Sequence, residues 1–160
     1  MLRKDFIRTA LIACAALMTK PFGVREARAA GPVRAAKPAK TWEAVEFSFE
    51  KAGREFPGVA VRVPAAAGQP DDIYAVCRLC PHEACTFGYE TNYLLVGRIV
   101  GKELANPVFL CRCHMSVYDP ARGGEVVNGP AKRPPWRFEI RARDEEIEIV
   151  GLEDGAGEIK

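Results

Sequence analysis

Histidine is nearly missing from this chain: two residues in 160. Long hydrophobic runs are missing as well. The apolar stretch from Ala10 to Met18 falls well short of the roughly 20 residues that a helix needs to cross a bilayer, so a transmembrane span is not expected. No segment after residue 41 holds a helical period over ten residues, which excludes a helical bundle. An excess of one charge sign is absent too. Six of the 23 Lys/Arg but only two of the 21 Asp/Glu fall in residues 1–30, leaving the remainder slightly acidic. That excludes the basic surface expected of a nucleic-acid binder. What remains is a chain of one-domain length, 48% hydrophobic, with a real core to bury.

Residues 1–30 have the layout of an export leader: a basic start, the apolar run and an Ala-x-Ala at Ala27 to Ala29. RKDFIR resembles a twin-arginine export signal with Lys4 in place of the second arginine. An ordinary secretory leader is the alternative, and LIAC, Leu11 to Cys14, has the residue pattern of a lipoprotein cleavage site but lies too near the N-terminus. The expected location is the periplasm or the periplasmic face of the inner membrane, with the leader cleaved or kept as an anchor. Residues 31–41, GPVRAAKPAKT, read as a flexible linker, and the folded domain is expected over 42–160.

Strand character dominates that domain. WEAVEFSF, GVAVRV, IYAVCRL, YLLVGRIV, PVFLC, WRFEIRA and EEIEIVGL are short β-like runs, with Arg143 to Glu145 as a turn before the last. The expected fold is all-β, a small antiparallel sandwich or barrel. Cys77 alternates into a strand and reads as a buried, inert thiol.

Both histidines fall inside two short cysteine runs, CPHEAC (Cys80, His82, Cys85) and CRCHMSVYD (Cys111, Cys113, His114). Each follows a β-like segment and precedes turn residues, as two loops at one end of a β scaffold would. A structural zinc site could draw on Cys77, Cys80, Cys111, Cys113 or the histidines, but Cys-x-Cys is not its usual spacing, and both histidines go unexplained if four sulfurs are used. Covalent haem needs Cys-x-x-Cys-His, and CRCH is one residue short. A 2Fe-2S cluster with two thiolates and two neutral imidazoles uses both histidines and one cysteine of each run.

The two runs, Cys-x-His-x-x-Cys and Cys-x-Cys-His-x-Ser-x-Tyr, resemble the cluster-binding boxes of Rieske proteins. The resemblance implies Cys80 and Cys111 as thiolate ligands, His82 and His114 as imidazole ligands, and a Cys85 to Cys113 disulfide between the loops. It also implies Ser116 and Tyr118 as hydroxyl donors tuning the cluster. GPAKRPP becomes a covering third loop carrying Gly129, Pro130, Pro134 and Pro135. This chain departs from the family at Met115, where Gly is usual, at Arg112, where Pro is common, and at Glu83-Ala84, where quinol-oxidising members often have Leu-Gly. The gap between the boxes is also long.

The implied function is one-electron transfer, as a subunit rather than a self-contained enzyme. The first expectation is the iron-sulfur subunit of a cytochrome bc-type quinol oxidoreductase in a respiratory chain. It would pass electrons from quinol to a cytochrome c, with cytochrome b and c type partners and membrane association through leader or partner. The alternative is the small Rieske subunit of an exported molybdenum oxidase such as arsenite oxidase, with a molybdopterin subunit as partner. An oxygenase ferredoxin and, outside electron transfer, a zinc-stabilised binding module are lesser readings.

Overall fold

The computed structural model describes residues 32–64 and 72–156. The expected export leader lies outside them. Ten strands and one α-helix follow in chain order: β1 (Val33–Ala36), β2 (Ala44–Lys51), β3 (Arg54–Arg62), β4 (Ile73–Cys77), β5 (Gly88–Glu90), α1 (Tyr93–Val100), β6 (Val108–Cys111), β7 (Ser116–Asp119), β8 (Glu125–Asn128), β9 (Phe138–Ala142) and β10 (Glu146–Leu152). They form three antiparallel sheets, ordered β1-β10-β9, β2-β3-β4 and β5-β6-β7-β8.

The β2-β3-β4 sheet lies between the other two. In β4 every residue is buried, because alternate side chains point to opposite faces and both faces are covered. Ile73, Ala75 and Cys77 enter a core with Phe138, Ile140, Ile147 and Ile149 of β9 and β10. Tyr74 and Val76 enter a second core with Phe109 of β6 and Tyr118 of β7. Cys77 is thus buried and free, and burial pushes its thiol pKa up. The second core also holds Cys80 and Cys111, so the chemistry-bearing end of the molecule is built directly onto packed apolar side chains.

Two expectations need correction. Residues 33–36 are not linker: β1 pairs with β10, Val33 opposite Ile149 through Ala36 opposite Glu146, so the folded unit begins before Trp42. Composition hid this strand, since its register is supplied by the distant β10. YLLVGRIV is not a strand but helix α1. β5 pairs directly with β6, Tyr89 opposite Phe109, which leaves the residues between them outside the ladder. A helix satisfies their backbone hydrogen bonds internally. The Asn92 side chain accepts from the Leu95 N–H at 3.2 Å, and Gly101 closes the helix in the left-handed conformation at φ 65°. Among the described residues no helix is long and apolar enough to cross a membrane.

Gly97 fixes how α1 turns back into the following segment. A Cβ there would lie 2.6 Å from the Lys102 carbonyl oxygen. Helix propensity alone favours Ala over Gly by about 1 kcal/mol, whereas this contact predicts that Gly97→Ala destabilises the protein by about 1–3 kcal/mol. Chemical denaturation measures the sign directly, and a stabilised variant would contradict the packing.

Candidate metal centre

β4 runs into the first cysteine loop, which closes as a tight hairpin. The Cys80 N–H donates to the Cys85 carbonyl, the Ala84 N–H to the Cys80 carbonyl, each at 2.8 Å, and the Phe87 N–H to the Arg78 carbonyl at 2.9 Å. The second loop is the turn between β6 and β7, with Cys111 opposite Ser116 as the last ladder pair. Its chain reversal spans Arg112 to Met115, and the Asn128 side-chain amide of β8 donates to the Met115 carbonyl at 2.8 Å. Cys85 and Cys113 are joined in a disulfide, with Cα atoms 6.6 Å apart, tying the two loops together.

Ala84 and Met115 occupy left-handed backbone, each at φ 56°. Those are two of the positions where the sequence departs from glycine. Such a conformation costs a side-chain-bearing residue about 1–2 kcal/mol, so both loops keep their shape against a local penalty, held by the disulfide and by Asn128. Gly129 does need to be glycine: at φ 90° it approaches so closely that a Cβ would lie 2.5 Å from the Ser116 Cα. The third loop thereby seats against the second. Within that loop Ala131 is buried in the second core and Pro135 is buried, while Pro130 and Pro134 are exposed.

The donor atoms sort by depth. Cys80 and Cys111 are each only 1% exposed, and they interact with one another. The Tyr118 hydroxyl lies 3.0 Å from the Cys80 Sγ. Burial pushes the Cys111 thiol up, and the neighbouring Cys80 adds to the rise against opposing backbone N–H groups. Tyr118 is likewise raised, first by burial and then by Cys80. The imidazoles sit further out. His82 and His114 have ring centroids 4.8 Å apart and nearly perpendicular planes, with side chains 27% and 47% exposed. The Glu83 carboxylate lies 3.9 Å from His82 Nε2 and 3.7 Å from His114 Nδ1.

The two runs therefore meet, with the Cys80 and Cys111 sulfurs at the floor and the imidazoles and the disulfide nearer the rim. This donor set fits an iron-sulfur cluster. Burial and the neighbouring Cys80 hold the Cys111 thiol above its ordinary range, a rise that a bound cation would offset, and His82 Nδ1 and Ser116 Oγ are buried with no protein partner. Cys77 lies apart, within the other core. Sequence reasoning missed Asn128, whose only cue is its place before Gly129, and the position of Glu83 between the rings.

An antiparallel β scaffold carrying a mixed sulfur and nitrogen donor set at two tied loops defines an iron-sulfur electron-transfer protein. Residues 43–149 match the Rieske 2Fe-2S domain, and the chain belongs to that family. Its cofactor is accordingly a 2Fe-2S cluster held by cysteine and histidine, and it passes electrons to redox partners. Two solved structures are similar. The soluble domain of Rieske protein II (soxF) from Sulfolobus acidocaldarius is 19% identical with a TM-score of 0.48, over 68% of this chain and 67% of that one. The plasma membrane Rieske protein PetC3 from Synechocystis PCC 6803 is 22% identical with a TM-score of 0.43, over 65% and 84%.

The cysteine pairing is directly measurable. Mass spectrometry of non-reduced peptides should find Cys85 joined to Cys113 and Cys77 as a free thiol; Cys77 in a bridge would contradict the arrangement of the cores.

Proposed function

We propose that Cys80 and Cys111 are the thiolate ligands of one iron, His82 and His114 the neutral imidazole ligands of the other, and that the chain is the iron-sulfur subunit of a cytochrome bc-type quinol oxidoreductase. The observation that carries the quinol reading is the Tyr118 hydroxyl 3.0 Å from Cys80 Sγ. When bound, the cluster supplies one-electron chemistry, at about −150 to +300 mV for this ligand set. A hydroxyl donating to the thiolate stabilises the more negative reduced state, which favours the upper part of that range. Ser116 Oγ, buried without a protein partner, supports the same direction. The two half-exposed imidazoles at the rim are suited to receive a hydrogen bond from a quinol hydroxyl and to hold its proton. The leader-like residues 1–30 support export, with the domain on the periplasmic side.

A second reading is the small subunit of an exported molybdenum oxidase. It is favoured by Glu83, 58% exposed between the two rings, because an apolar quinol pocket would have to desolvate that charge.

His114→Ala should lose iron, acid-labile sulfide and visible colour together; a variant that keeps all three would refute the ligand set. Tyr118→Phe should keep the cluster but lower its potential, since a net hydrogen bond of about 1 kcal/mol corresponds to roughly 40 mV for one electron. Protein-film voltammetry reads that shift, and an unchanged potential would remove the quinol argument. As the test of function, membranes of cells lacking this chain should lose quinol-dependent cytochrome c reduction and regain it when the gene is restored. Retained quinol activity with loss of a molybdenum-dependent oxidase would move the chain to the second reading.

A further inference from the structure

Helix α1 is apolar on every side except for Arg98, yet it is not enclosed. Leu94, Leu95 and Ile99 are 63%, 45% and 61% exposed, and they are the exposed large hydrophobics among the described residues. All three lie on this one helix. A helix hydrophobic all round belongs inside a larger body, and here the inward side alone is covered: Val96 packs with Leu104, Val108, Leu110 and Val117. The outward side continues into a groove lined by Leu95, Ile99, Leu110, Met115 and the pair Arg112 and Glu90. Arg112 Nη2 and Glu90 Oε1 are 2.7 Å apart, so the groove wall cancels its own charge. The groove therefore offers apolar area and no net charge.

Its position gives the occupant. Met115 follows His114 directly in the chain, so the groove opens beside the exposed imidazole rim. An electron leaves or enters a loop-tip centre only if the partner comes against that rim, and a partner seated there extends over the adjoining groove. We propose that the outer face of α1, Leu95 and Ile99 with the Met115 groove, is the docking surface for an apolar face of the redox partner protein, contiguous with the histidine tip. This rests on the quinol-oxidoreductase reading and names the part of the surface that sets partner affinity. The α1 segment lies in the long stretch between the two cysteine loops, so docking affinity is separable from ligation: α1 carries no ligand and can be altered without touching one.

The test uses Leu95→Gln combined with Ile99→Gln. Both sites are exposed and glutamine is a good helix former, so the fold is retained. The visible spectrum and denaturation midpoint check that. Arg141→Gln, exposed on β9, serves as the control. Membranes from cells lacking the chain are titrated with purified holo-protein, using a short-chain quinol and cytochrome c in excess. The expected result is that the double variant needs about tenfold more protein for half-maximal turnover, with the same plateau and the same midpoint potential, while the control matches wild type. An unchanged half-maximal concentration overturns the proposal. So does a wild-type chain that sediments as a dimer which the variant loses, since a second copy then covers the face. Binding of wild type but not variant to phosphatidylglycerol vesicles assigns the face to lipid and overturns it equally. If wild-type protein restores no quinol activity at all, the quinol-oxidoreductase reading fails and takes this inference with it; activity restored equally by variant and wild type fails the inference alone.

Discussion

Cys80 and Cys111 are buried against each other at the end of an apolar core, and the rest of the site follows from what that burial demands. Burial raises the Cys111 thiol, and Cys80 beside it adds to the rise. A bound cation would reverse that balance by taking up the charge of a deprotonated sulfur. The imidazoles differ in kind, offering nitrogen, and they sit at the rim where solvent and partner can reach them. Depth thus separates the two kinds of donor, sulfur of Cys80 and Cys111 inside and imidazole nitrogen outside.

The scaffold's contribution is to make two hairpin tips meet and stay met. β4, buried on both faces, carries one loop; the β6-β7 hairpin carries the other. A disulfide joins them, Asn128 holds the Met115 carbonyl, and Gly129 lets the third loop sit against Ser116. These constraints are strong enough to hold Ala84 and Met115 in left-handed backbone that glycine would adopt freely. The loop shape is set by the ties between the loops more than by the residue at each tip, which is why departures from glycine leave the donor atoms together.

What the sequence displayed openly was chemistry whose spacing is local. Both histidines and four cysteines fall in two short runs, so the convergence of the two loops could be read before any fold was known. The alternating strands β2, β9 and β10 were legible for a similar reason, since a half-buried strand writes its period into its own residues. Three features were not. β1 takes its conformation from β10, over a hundred residues away, and carries Ala and Arg with no apolar alternation. β5 and β8 are short and only half-buried, so little pattern reaches their sequence. Helix α1 is only eight residues long and carries large apolar residues on its outer side as well, so YLLVGRIV reads like a short buried strand. The trait that hid the helix is the one that gives it a surface to dock with.

In the proposed site each loop contributes one sulfur and one nitrogen. Pulsed electron paramagnetic resonance on the reduced holo-protein, with histidine labelled with nitrogen-15, tests this most directly. It should detect two strongly coupled nitrogens at a paramagnetic cluster that switch from nitrogen-14 to nitrogen-15 signals when histidine alone is labelled. A reduced centre with no histidine coupling would mean an all-thiolate site and would contradict the assignment of His82 and His114.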